Sequence, residues 1–120
     1  MLMMANKIKV LIADDLAMQP RFKQLFDPIT EIVLVAFTTS ADETIQKAKN
    51  LQPDILLIDV NLPNADSFAV TEALASELPF TGVILMGPHC APEDLRRAML
   101  VGAKDYIVKP FPSDELFNAI

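Results

Sequence analysis

The chain has 120 residues, which fits one domain and leaves little room for a second. Apolar residues make up 52% of it, enough for one buried core, and a formal net charge of −6 argues against bulk attraction to nucleic acid. No apolar run is long enough to span a bilayer, Met1-Leu2-Met3-Met4 is too short for a signal peptide, and the single cysteine, Cys90, excludes an intrachain disulfide. The expectation is a soluble cytoplasmic protein that contacts neither nucleic acid nor membrane directly. No lysine or arginine flanks Cys90, so it reads as an inert loop thiol.

Short β-rich runs alternate with amphipathic helical stretches along the chain. Lys7 to Ala13 reads as a strand. Phe22, Leu25, Phe26 and Ile29 then fall on one helical face, with Pro20 in the first turn. Glu31 to Phe37 is a second strand. Ser40 and Glu43 form a capping box for the next helix, whose buried face is Ala41, Thr44, Ile45 and Ala48. Asp54 to Val60 is a third strand, apolar on both sides until Asp59, which suits the interior of a parallel sheet. A helix from Asp66 to Glu77 follows, with Val70, Ala73, Leu74 and Leu78 as its stripe. Gly82 to Met86 is the fourth strand. Ala91 to Val101 is a helix stopped by Gly102. Lys104 to Val108 is the fifth strand, and Ser113 caps a last helix that reaches Ile120.

Successive βα units imply an α/β fold, a doubly wound five-stranded parallel sheet. At this size the flavodoxin-like strand order 2-1-3-4-5 is expected, with the functional crevice beyond the carboxyl ends of the strands. Asp14-Asp15 ends the first strand, Asp59 the third and Lys109-Pro110 the fifth; the fourth runs into Gly87. Strands one and three are neighbours in that order, so their carboxylates converge while Lys109 approaches from strand five.

Converging carboxylates repel one another, which raises at least one pKa or calls for a hard divalent cation. Mg²⁺ takes oxygen ligands and keeps several waters, so carboxylates and a backbone carbonyl suit it. Lysine adds a point charge for a phosphate oxygen. Together these parts make a phosphoryl-transfer site. An aspartate after a strand often only forms a turn or caps a helix. Asp59 is harder to read that way, because it sits inside an apolar strand.

Three segments resemble bacterial response-regulator receivers, and the similarity covers essentially the whole chain. They are Asp14-Asp15, Asp59-Val60-Asn61-Leu62-Pro63, and Gly102-Ala103-Lys104-Asp105-Tyr106-Ile107-Val108-Lys109-Pro110-Phe111. The resemblance implies that Asp59 accepts a phosphoryl group from the phosphohistidine of a histidine kinase or phosphotransfer protein. It implies that Asp15 binds Mg²⁺ directly, that Asp14 holds it through water and that the Asn61 carbonyl completes the site. Lys109 would pair with the phosphoryl group, through a cis bond to Pro110. Tyr106 matches the family's aromatic switch residue. The face of the fourth helix, fifth strand and fifth helix, with Arg96 and Arg97 on that helix, matches its interaction surface and a possible homodimer contact. The chain would then be a non-enzymatic switch.

Two positions depart from the family pattern. Gly87 stands where receivers carry a threonine or serine, so no hydroxyl there can bond a phosphoryl oxygen, and weak coupling from Asp59 to the strand-four loop is expected. Ser67 stands where the loop after the acceptor commonly has glycine, with little effect expected. The resemblance sets His89 beside the family's route of water to an acyl phosphate; by itself it reads as an exposed loop residue and not as part of a zinc site. The alternative function is a pseudo-receiver, an interaction module without productive phosphorylation. A flavin protein is disfavoured by the acidic Asp14-Asp15-Leu16 turn, and a haloacid-dehalogenase-type phosphatase by the adjacency of its two acids. The whole of residues 1–120 is read as one receiver domain with a shortened last helix, cut from a longer protein with a C-terminal output domain. Leu95 to Ala103 is similar to receivers fused to ParA/MinD-like ATPases.

Overall fold

In a computed structural model, which describes residues 7–120, five parallel strands form one sheet in the order β2-β1-β3-β4-β5. The strands are β1 (Ile8–Ala13), β2 (Ile32–Thr38), β3 (Ile55–Asp59), β4 (Gly82–Gly87) and β5 (Asp105–Val108). The helices between and after them are α1 (Gln19–Phe26), α2 (Ala41–Leu51), α3 (Ser67–Glu77), α4 (Pro92–Leu100) and α5 (Ser113–Ala119), and a 3-10 turn at Leu16–Met18 precedes α1. The doubly wound order expected from the sequence is the order found. The Met1–Met4 run lies outside the described residues.

Strand side chains alternate between two cores. Leu11, Leu56, Ile58, Val83, Leu85 and Tyr106 pack on one face with Ala48 of α2, Leu74 of α3 and Ala98 of α4. Val10, Ile12, Ile55, Leu57, Ile84, Met86 and Ile107 pack on the other with Phe22 and Phe26 of α1 and Leu116 of α5. Every residue of β3 is buried, as its continuous apolar run requires. Each fully buried aliphatic side chain there contributes about 1.5–3 kcal/mol. Thr38 and Thr44 bond each other at 2.6 Å inside this interior, so their hydroxyls are not left unpaired. Among the described residues no helix is long and apolar enough to cross a membrane.

Several local expectations change. Ile29 is not on α1, which ends at Phe26 with Asp27 as its C-cap, so its helical spacing continues a period that the backbone does not. Ser40 caps α2 by accepting from Glu43 N at 3.2 Å, but the Glu43 carboxylate turns back to Thr39 N at 3.1 Å, one residue before the cap. Ala73 is exposed, and the buried stripe of α3 is Ser67, Val70, Thr71 and Leu74. Ser113 is the first helical residue of α5, not its cap; Pro112 holds that place. Gly102 does stop α4, at φ +91°, where an added Cβ would also lie 2.9 Å from the Ala75 Cβ.

Candidate functional site

The site stands at the carboxyl ends of β1, β3 and β5, where the strand order reverses. Asp59 is the last residue of β3 and stays 9% exposed. Strand alternation sets it on the same face as Ile55 and Leu57, toward α1 and α5. Asp14 follows β1 and is 1% exposed. Lys109 follows β5, and the Lys109-Pro110 peptide is cis. The Lys109 ammonium donates to Asp14 Oδ2 and lies 3.4 Å from Asp59 Oδ1. One cation thus serves two buried carboxylates.

Burial raises the Asp59 pKa above its ordinary value; nearby Lys109 pulls it back and Asp14 pushes it up again. The raising causes win, so the lysine does not fully compensate the carboxylate charge. Asp14 Oδ1 also accepts from Asp15 N at 2.7 Å, which fixes the turn after β1. Asp15 is exposed, and its Oδ1 caps the 3-10 turn by accepting from Ala17 N at 2.9 Å.

Asp14, Asp15, Asp59, Asn61 and Lys109 all line one open crevice of about 500 Å³. Its other half is apolar, with Met18, Phe22, Leu25 and Phe111, and Arg21 stands at the same crevice. The donors facing it are hard oxygens, and the residual charge on Asp59 is what a divalent cation would relieve, so the donor set fits Mg²⁺. In the arrangement seen here Asp15 points to its cap. Among the described residues no three carboxylate, imidazole or thiol groups draw together around one point.

Gly87 and Tyr106 form a second structure at the end of β4. Tyr106 is 9% exposed, and its hydroxyl donates to the His89 carbonyl at 2.9 Å. A Cβ at position 87 would lie 2.0 Å from the Tyr106 hydroxyl oxygen and 3.0 Å from its ring carbon Cζ. The missing side chain at position 87 is therefore the space that the tyrosine tip occupies. The sequence shows the lost hydroxyl at this position; only the packing shows what replaces it. Burial, with Asp94 next, pushes the Tyr106 phenol pKa up.

Other residues singled out in the sequence sit apart from Asp59. His89 is exposed and contributes its backbone oxygen. Cys90 is half-buried, and burial followed by Asp94 and Asp105 pushes its thiol pKa up, which fits an inert thiol. Arg96 is exposed. Arg97 lies 4.1 Å over the Phe68 ring and 3.5 Å from Asp66, so it ties α4 to the first turn of α3.

Ser67 is the residue whose role the sequence least revealed. It is 1% exposed, and its hydroxyl donates to the Asp59 backbone carbonyl at 2.6 Å. Its placement at the start of α3, just after the loop that follows Asp59, was visible in the sequence; the direction of its hydroxyl was not.

The chain matches the family profile described as response regulator receiver domain over residues 10–120. It is 30% identical over 106 residues to a protein-glutamate methylesterase/protein-glutamine glutaminase of Geobacter sulfurreducens, covering 88% of this chain and 28% of that protein. It is also 30% identical over 115 residues to the oxygen regulatory protein NreC of Staphylococcus aureus, covering 94% of this chain and 53% of that one. The chain therefore spans about half or less of these relatives' length. The structure superposes on the signal receiver domain of the response regulator NarL from Mycobacterium tuberculosis with a TM-score of 0.87 at 25% identity, covering 95% of this chain and 93% of that one. Neither relative's name points to a ParA/MinD-like output, which these matches leave without support. The family profile, the strand order and the acidic crevice agree: the chain belongs to the response regulator receiver domains.

Proposed function

We propose that the chain is a phosphorylation-controlled switch in which Asp59 accepts a phosphoryl group from a histidine kinase or phosphotransfer protein. The observation that carries this reading is the sharing of Lys109 between buried Asp14 and Asp59 at the strand ends. An Asp59 carboxylate oxygen attacks phosphorus as the N–P bond of a phosphohistidine breaks. The imidazole leaves with the electron pair and takes up a proton from solvent. Asp59 must be ionised to attack, and its raised pKa means that its charge needs support at that moment. Lys109 supplies part of it, and its single ammonium can pass from carboxylate to phosphoryl oxygen without crossing the crevice.

Asp14, Asp15, Asp59 and the Asn61 carbonyl are the groups that would hold Mg²⁺. When bound, such an ion would supply charge neutralisation at the carboxylates during phosphoryl transfer. Asp15 uses Oδ1 for its bond to Ala17 N, and its exposed Oδ2 can take part without loss of that cap. The apolar half of the crevice, with Met18 and Leu25, gives a phosphodonor protein surface to cover while it excludes water.

The chain is read as a phosphoacceptor, not an enzyme that turns over an external substrate. The regulated partner is an output module or a separate protein. Exposed Leu95 and Met99 of α4 and Val108 of β5 make the α4–β5–α5 face the proposed contact, including contact with a second copy. The pseudo-receiver reading draws on one observation, the seating of Tyr106 in the space left at Gly87. Incubation with acetyl phosphate and Mg²⁺, followed by intact-mass measurement, separates the two. The expected result is one phosphoryl adduct, lost in Asp59→Ala. No adduct on the native chain, or the same adduct on Asp59→Ala, favours the interaction module.

A further inference from the structure

The peptide that joins Asp59 to Val60 is held at both of its polar ends by different elements. Its N–H, on Val60, donates to Met86 O of β4 at 2.8 Å. Its C=O, on Asp59, accepts from the Ser67 hydroxyl of α3 at 2.6 Å and from Leu62 N at a longer 3.3 Å. Met86 is 0% exposed and Ser67 1%, so water does not compete for either bond.

A peptide plane clamped in this way cannot rotate about its long axis. Holding it fixes the two torsions that flank it, ψ of Asp59 and φ of Val60. The Asp59 backbone, from which the carboxylate beside Lys109 projects, is therefore held on its C-terminal side by this plane. Val60 N is held by the sheet in any case, as part of the β3–β4 ladder. The carbonyl end is not, since β3 ends there, and the short bond it has comes from a side chain.

We infer that Ser67 is a positioning residue for phosphoryl acceptance: its hydroxyl fixes the Asp59–Val60 peptide and thereby the aim of the Asp59 carboxylate. The inference rests on the functional reading above, and it assigns a task to a hydroxyl that the sequence pattern treats as a minor change. Small misplacements of a reacting group cost rate without costing much stability. A hydrogen bond of ordinary net strength corresponds to roughly a five- to tenfold change when it is felt in the transition state.

The experiment compares Ser67→Ala, Ser67→Gly and Thr71→Val with the native chain, at saturating acetyl phosphate and Mg²⁺. Thr71→Val is the control, since it removes an equally buried hydroxyl of the same helix whose bond goes to the Ser67 backbone carbonyl and leaves the Ser67 hydroxyl on Asp59 untouched. Both Ser67 variants should accept phosphate roughly five- to tenfold more slowly, with the half-saturating acetyl phosphate concentration little changed. Thr71→Val should keep the native rate. The Asp59 carbonyl ¹³C resonance should move upfield in both Ser67 variants, and stay in place in Thr71→Val. A native rate in either Ser67 variant, or an equal slowing in Thr71→Val, overturns the inference. If the native chain takes no phosphoryl group, the functional reading itself fails. The carbonyl resonance, which needs no phosphorylation, then shows separately whether the Ser67 contact exists.

Discussion

Replacing Gly87 with alanine places one carbon where the Tyr106 tip now lies. The new Cβ would stand 2.0 Å from the phenol oxygen, 3.0 Å from Cζ and 3.0 Å from Val60 Cγ2. The first distance cannot persist, and the cheapest relief is for the tyrosine to swing outward. That movement breaks its bond to the His89 carbonyl, a loss of about 0.5–1.5 kcal/mol. It also returns roughly 100 Å² of ring surface to water, about 2.5 kcal/mol at 25 cal/mol per Å². Area-based figures are upper values, so the expected cost is about 2–4 kcal/mol, read from urea unfolding. Tyr106 is the only tyrosine and the chain has no tryptophan, so tyrosine absorbance and emission report this one place. In the native chain the phenol titrates above its ordinary 10.0 because it is buried; in Gly87→Ala it should fall back toward that value. The decisive test is a double-mutant cycle with Tyr106→Phe, which removes the 2.0 Å contact but keeps the ring. Gly87→Ala should then cost less than about 1 kcal/mol. An equal cost in both backgrounds, or an unchanged phenol titration in Gly87→Ala, would refute the idea that Gly87 seats Tyr106. It follows that threonine at position 87 and an inward tyrosine exclude each other here. Phosphorylation or beryllofluoride should therefore shift the native Tyr106 signal little, since the ring is already seated.

Three further outcomes follow from the acidic crevice. A carboxylate with a raised folded-state pKa adds stability below its unfolded pKa, near 3.8, and loses it as pH rises through the folded value. Asp59→Asn should therefore melt higher than the native chain at neutral pH, and the gap should close as pH falls toward 3.8; a gap that widens in acid contradicts the assignment. Lys109→Met leaves Asp14 buried without its cation and should cost up to about 3–5 kcal/mol, with part regained when Asp59→Asn is added; no regain would mean that Asp14 and Asp59 do not repel each other once Lys109 is gone. Mg²⁺ at a hundred times its dissociation constant should stabilise the native chain by about 2.7 kcal/mol; an Asp15→Asn variant that titrates with Mg²⁺ like the native chain would remove Asp15 from the ligand set.

Much of this protein is legible in the sequence because the deciding signals are local. Continuous apolar runs mark buried parallel strands, apolar spacing marks helices, and alternation of the two leaves few topologies. The order of strands then brings Asp14, Asp59 and Lys109 to one edge without any knowledge of side-chain contacts. The sequence is weaker at element ends, where one hydrogen bond decides the outcome: Ile29 kept a helical spacing beyond the last turn, and Pro112 took the capping place from Ser113. Tertiary structure alone decided where side chains point at the strand ends. Asp15 turns to cap its own 3-10 turn, and Lys109 divides its charge between two acids. The two departures from the family pattern show the same limit. At Gly87 the sequence displays a missing hydroxyl, but the tyrosine that fills the space comes from β5, a separate strand. At Ser67 it displays an added hydroxyl, but the acceptor peptide that receives it depends on the path of the loop between them. A residue type is written in the chain; the partner it meets is set by the packing of elements far apart in it.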